Sequence, residues 1–366
     1  MSMILNKIKL NKTVYLICTA CVILLVLFFW NKKSDQNFYT VSSNQDVVLE
    51  KPSSENINLF RRALDGVLVA GGQENNYPVA VMIDNHLDAR PSSGISQAGV
   101  VIEAEAEGGI TRYLAIFDSS LDIKKIGPIR SARPYFIDWA KEFSALYVHV
   151  GGSPEALVKV IKEKVNDLNE FYKGEYFWRG TEKFAPHNVF TSMEKIKKYF
   201  STKDFSSVNY FSWNFKDDLS QEKRPNAMEI KIDYVLRDYK VMWKYDKENN
   251  YFVRYLNGDL HREEDGTVLF AKNLIIQKID ARETDEDLRL DMDVIGEGEA
   301  VVCLDGSCQN GKWQKKNSEA RTRFYDANNE EFVFNAGPSW INVVRPEYSV
   351  ELGDVNNISN ESRNNN

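Results

Sequence analysis

The chain has no HExxH pair, no Cys/His zinc spacing, no P-loop and no GxSxG elbow. These absences remove the usual signatures of zinc hydrolases, nucleotide-phosphate binders and serine hydrolases. The stretch "DLRLDMD" lacks the central glycine of an EF-hand loop. No metal site and no cofactor are therefore expected. Positive charge is also in short supply. Lys and Arg number 46 against 53 Asp and Glu, a formal net charge of −7. That balance argues against a nucleic-acid face, so nucleic acid is not an expected partner. No internal repeat is present.

One long uncharged run is present: "VYLICTACVILLVLFFW", Val14 to Trp30. At about 1.5 Å per helical residue it nearly crosses a hydrocarbon core of about 30 Å. It predicts a single N-terminal transmembrane helix within an anchor of residues 1–33. Lys7, Lys9 and Lys12 precede the run, and Lys32, Lys33 and Asp35 follow it. That bias favours an inside N-terminus, with the bulk of the chain outside the cytoplasmic membrane. No small-residue cleavage site ends the run, as a signal peptide would require. Cys18 follows "YLI" and Cys21 follows "CTA", neither a good lipoprotein box, and nine apolar residues follow Cys21. An uncleaved anchor is favoured over a lipid.

Cys303 and Cys308 frame "CLDGSC". A two-residue type I′ turn at Asp305-Gly306 pairs Leu304 with Ser307 and Cys303 with Cys308. The second pair is non-hydrogen-bonded, where side chains approach closest. A disulfide is feasible there and suits an oxidising compartment, whereas a cytosolic chain would keep two free thiols.

Composition divides the rest. Residues 34–76 read as a polar tether, with Leu59–Val69 as a short helix or docking segment. Residues 77–205 alternate apolar strands ("YPVAVMIDN", "GVVIEAEAEGG", "TRYLAIFDSS", "KKIGPIRSA", "LYVHVGG") with helices. One helix starts at Pro134, and another has Ser153 as cap and Pro154 in its first turn. Residues 206–226 read as a linker and 348–366 as a disordered tail. Residues 227–347 hold many short alternating runs, including "NLIIQKID" and "SWINVVRP". Turn signals at Asp259-Leu260, Asp265-Gly266 and Asp305-Gly306 divide several of them. The expected fold class is α+β or mixed α/β. An N-terminal mixed sheet covered by helices would precede a mainly antiparallel β domain.

Polar residues cluster at the ends of the first-domain strands. They are Asp84-Asn85-His86 with Arg90; Glu103, Glu105, Glu107 and Arg112; Arg130 and Arg133; His149 with Gly151-Gly152; and His187-Asn188. Ligands commonly sit where strand ends converge. Arginine presents a planar fork to carboxylate or phosphate. Gly-Gly before a helix exposes N–H groups to an anion. Taken singly, the plainer readings are salt bridges for the arginines, a chain turn for the glycines and a core role for His149. Taken together, Asp84, Asn85, Glu103, Glu107, Arg112, Arg130, Arg133, His149, Gly151, Gly152, His187 and Asn188 form a candidate ligand-binding set.

These motifs carry a resemblance. "VAVMIDNH", "EAEAEGGITRYLAIF", "IGPIRSARPYF", "VHVGGSPEA" and "APHNVFTS", followed by "GEGEAVVCLDG" and "GPSWINVV", resemble the YerB-like family. These are bacterial envelope proteins carrying domain of unknown function 3048. The resemblance runs from about residue 77 to 345. It implies a two-domain ectodomain on the outer face of the cytoplasmic membrane, and many relatives resemble lipoproteins. It implies no reaction and no catalytic residue. The favoured function is binding of an anionic envelope ligand or an envelope protein. One alternative is an enzyme acting on phosphate-containing lipid-linked precursors. Residues 110–133 resemble the strand–turn–strand–Arg run of LytR-CpsA-Psr phosphotransferases, which is fold-level analogy. A structural scaffold of division or sporulation machinery is the other.

Overall fold

A computed structural model describes residues 58–203 and 210–353. The transmembrane run 14–30, most of the tether and the end of the tail lie outside these residues. Among the described residues no helix is long and apolar enough to cross a membrane.

The labelled strands of the first half are β1 (Pro78–Asp84), β2 (Val100–Glu105), β3 (Thr111–Asp118), β4 (Leu146–His149) and β5 (Asp167–Asn169). Among the described residues three α-helices accompany them: α1 (Pro134–Lys141), α2 (Pro154–Lys162) and α3 (Met193–Phe200). In the second half follow β6 (Glu229–Asp233), β7 (Lys240–Asp246), β8 (Tyr251–Leu256), β9 (Asn273–Lys278), β10 (Gly296–Leu304), β11 (Ser307–Lys315), β12 (Arg323–Asp326), β13 (Ser339–Val344) and β14 (Ser349–Gly353).

Ten strands from both halves make one sheet, in the order β12-β11-β10-β9-β13-β2-β3-β1-β4-β5. The seam is the parallel pair β13–β2, with Ser339 opposite Val100 and Asn342 opposite Glu103. A second, antiparallel sheet holds β8-β7-β6-β14, with the short strands Asp259–Leu260 and Phe270–Ala271 on β8.

The α+β expectation is thus overturned: the described chain is mainly β, and its halves do not carry separate sheets. The physical reason is burial. β1, β2, β3 and β13 are buried at every position. Such strands need both faces covered, and helices are the usual cover. Here one face receives α1 and α2, and the other receives α3 together with the second sheet. Ala80, Met82, Ile102 and Leu114 pack on α1 and α2 through Tyr135, Trp139 and Ala156. Alternation turns Val81, Ile83, Val101 and Tyr113 to the other face. They join α3 and the second sheet through Ile230, Trp243 and Phe252.

Three local expectations are also corrected. Leu59–Val69 is not a helix, because Leu59–Arg61 and Leu68–Ala70 form a small hairpin. The "KKIGPIRSA" segment is not a regular strand; it crosses the ends of others through single bridges, Ile83 with Ile129 and Ala132 with Gly152. Pro128 within it has no N–H to donate, which breaks a continuous ladder. Asp259-Leu260 is strand, and the turn before it is Asn257-Gly258, both at positive φ.

Candidate functional site

β1 and β3 are antiparallel neighbours, which sets Asp84 opposite Arg112. The β2–β3 turn passes through Gly108 and Gly109 at φ +59° and +79°. A side chain resists that conformation at both positions, and the tight turn brings Glu107 back beside Arg112. Arg133 arrives as the residue before α1, and Arg130 from the bridged segment that lies along β1.

Glu107 holds two arginines. Its Oε2 accepts from Arg112 at 2.7 Å, and its Oε1 is ion-paired with Arg133. Arg112 also donates to Ser131 O (3.1 Å), and Arg133 to Ala132 O (2.6 Å). Arg130 Nε lies 3.1 Å from Asp84 Oδ2, in ion-pair range but without hydrogen-bond geometry. Nε of Arg112 and Nε of Arg133 are buried without an acceptor. Burial pulls all three guanidiniums below the ordinary arginine value, with Asp84 acting the other way on Arg112 and Arg130. The cluster therefore sets three cations against two carboxylates. It is nearly closed: the side chains of Arg130 and Glu107 keep 23% and 22% exposure, those of Arg112 and Arg133 less than 10%.

Asp84 also accepts at Oδ1 from the His86 N–H (2.9 Å) and contacts His187 Nδ1 at Oδ2 (2.7 Å). The rings of His86 and His187 stack, 4.4 Å apart. His187, Asp88, Arg90, Glu182 and Glu264 line a cleft of about 620 Å³, whose wall includes none of the three arginines.

The other sequence candidates lie elsewhere or serve the fold. Glu103 and Glu105 do share one face of β2, as strand periodicity predicts, but that face meets the second half. Glu103 pairs with Arg254 at 2.8 Å, and Glu105 with Arg345 at 3.0 Å. Asn85 donates to Thr111 Oγ1 (2.7 Å), which donates to Glu103 (2.9 Å); Arg90 Nε donates to Asn85 Oδ1 (3.0 Å). This chain of bonds runs away from the arginine cluster. His149 is fully buried between Gly151 O (2.6 Å) and Asp167 (3.2 Å), with Tyr147 stacked on its ring. The Gly151 N–H donates to Asn169 Oδ1 (2.9 Å) and the Ser153 N–H to Ala132 O, so those donors are occupied. Asn188 accepts from Arg179 and donates to Gly180 O.

Sequence reasoning missed Arg254, His261 and Asp88. Arg254 had a signal: in "YFVRYL" it occupies the same inward-facing set as Phe252 and Leu256. An arginine at a core position demands a buried partner. His261 accepts from Arg254 Nε at 3.0 Å, and burial together with that guanidinium holds it well below the usual histidine range. Asp88 carried no such signal, since an acidic residue in a surface turn is ordinary. Cys303 and Cys308 are joined by a disulfide across the β10–β11 turn.

Comparison with known proteins adds the family. Residues 64–206 match the model described as "Protein of unknown function (DUF3048) N-terminal domain", and residues 230–341 its C-terminal domain. The chain is similar to "Putative lipoprotein YerB" of Bacillus subtilis (strain 168), 31% identical over 272 residues, which is 73% of this chain and 81% of that one. The crystal structure of YerB protein from Bacillus subtilis resembles it with a TM-score of 0.71 at 30% identity. That match covers 80% of this chain and 99% of that one.

Proposed function

The chain belongs to the DUF3048 family of unknown function, and on that premise we propose that it is a membrane-associated extracytoplasmic binding protein. Its ligand is an anionic group of the cell envelope. The supporting observation is the imbalance of the Arg112, Arg130 and Arg133 cluster. Three guanidiniums share Asp84 and Glu107, and two buried Nε–H groups have no acceptor. A buried donor without an acceptor costs about 1–3 kcal/mol. A phosphate, sulfate or carboxylate oxygen entering beside Glu107 would satisfy these donors and neutralise the excess charge. Glu107, at the more exposed edge, holds the guanidiniums when no ligand is present.

The location is supported by the name of the related lipoprotein, by the uncharged run 14–30 and by the disulfide. A protease added outside intact cells should cleave the folded part of the chain; complete protection would overturn the location.

Calorimetric titration with inorganic phosphate tests the ligand class. The Arg133→Ala variant should bind about 10–100-fold more weakly than wild type, the scale of one charge-assisted hydrogen bond. Absence of any heat with phosphate, sulfate and a phosphorylated envelope precursor, alongside a lowered melting temperature in the variant, would make the arginines purely structural.

A further inference from the structure

A histidine whose ring is oriented by a buried carboxylate is the usual form of a metal-ligating imidazole. His187 has that form. Its Nδ1 contacts Oδ2 of Asp84, a residue only 2% exposed, which leaves Nε2 facing away from the carboxylate. Two further donors lie near this ring. His86 and Asp88 belong to the short turn that follows β1, and one ligand atom each of His86, Asp88 and His187 lies within 4.8 Å of the others. His86 Nδ1 is 3.6 Å from Asp88 Oδ2. Two ligands on a tetrahedral zinc ion stand about 3.4 Å apart, given metal–ligand bonds of about 2.0–2.2 Å.

We propose that His86, Asp88 and His187 bind one divalent first-row transition ion, with zinc the ion that best suits two imidazoles and one carboxylate. His187 supplies Nε2, with its Nδ1–H donated to Asp84. His86 supplies Nδ1, which now accepts from the Asp88 N–H at 3.2 Å, a long contact that an ion replaces. The two rings lie parallel within 17°, so they do not yet point at one centre. The His86 side chain is 34% exposed and turns to bring Nδ1 in, while Asp84 keeps His187 fixed. Asp88, with a side chain 75% exposed, is free to follow. Three protein ligands leave a fourth position open to the adjoining cleft, where water or a ligand oxygen completes the shell. No cluster arginine is a ligand; the site shares with the anion reading only Asp84, whose Oδ2 also lies 3.1 Å from Arg130 Nε.

The test uses the full chain in detergent, carrying Cys18→Ser and Cys21→Ser so that those thiols do not compete for metal. After dialysis against chelator, the protein is titrated with zinc chloride against a competing indicator. One ion per chain should bind. His86→Ala, at a half-buried position, and Asp88→Asn, at an exposed one, should each weaken binding by about tenfold or more, with an unchanged melting temperature of the metal-free protein showing that the fold is kept. Cobalt should give the intense visible bands of a four-coordinate ion in the parent and lose them in His86→Ala. Absence of bound zinc above the dialysis control would overturn the proposal. So would equal affinity in the parent, His86→Ala and Asp88→Asn.

Discussion

Glu103 and Arg254 form an ion pair 2.8 Å long, and neither side chain reaches solvent. Glu103 comes from the central sheet and Arg254 from the second sheet, so the pair ties the two layers together. Trp340 Nε1 donates to the same carboxylate at 3.2 Å, and the guanidinium lies 4.6 Å from the Trp340 ring and 5.1 Å from the Trp243 ring.

Removing one partner strands the other charge in a low-dielectric core. Glu103→Gln and Arg254→Met should each destabilise the fold by about 3–5 kcal/mol in denaturant unfolding. The double variant Glu103→Gln/Arg254→Met should lose markedly less than the sum of two single losses. Additive losses would show that the two residues act separately.

A second buried set predicts acid sensitivity. Glu142, just after α1, accepts from Lys315 of β11 at 2.8 Å and from Thr322, and pairs with Arg321. Burial alone would raise its pKa. Lys315 and Arg321 outweigh that and hold it below the ordinary glutamate value. A depressed folded pKa adds stability above the unfolded value, and that stability is lost as pH falls through the folded value. Melting temperature should therefore drop from about pH 4.5 downward. Glu142→Gln should be less stable at pH 7 and show a shallower drop; an identical pH slope in both proteins would refute the assignment.

The Cys303–Cys308 bridge closes a very small loop, so its chain-entropy contribution is about 2 kcal/mol. Cys303→Ser/Cys308→Ser should unfold at lower denaturant by about that much, with the fold kept by the β10–β11 register. Mass tagging of the untreated native protein should leave both cysteines unmodified until a reductant is added.

Glu107 competes with any anion for Arg112 and Arg133. Glu107→Gln should bind inorganic phosphate more tightly than wild type while losing about 1–3 kcal/mol of folding stability. Loss of stability with no gain in phosphate affinity would assign the cluster to the fold alone.

Much of the site's local order was legible. Period-two alternation sets Glu103 and Glu105 on one face of β2, and Ser153-Pro154 starts α2, with the Ser153 hydroxyl accepting from the Ala156 N–H at 3.3 Å. The partners of those carboxylates were not legible. Arg254 and Arg345 are far along the chain, and no spacing rule links them to β2. The sequence pattern places "SWINVV" as one short strand among many antiparallel ones. Burial at all six of its positions shows it to be an interior, parallel strand instead.

The sequence by itself determined what depends on near neighbours along the chain: the main buried strands, the starts of α1 and α2, and the turn at Asp305-Gly306. These follow from backbone preferences and periodicity acting over a few residues. Only the tertiary structure decided which elements meet. It joined β13 to β2 in one sheet and covered one face with a second sheet beside α3. It gave Glu107 rather than Glu103 to Arg112 and Arg133, and set His86 and Asp88 beside His187. Those outcomes rest on burial and charge pairing between distant segments, and such pairing leaves no local pattern for a sequence to display.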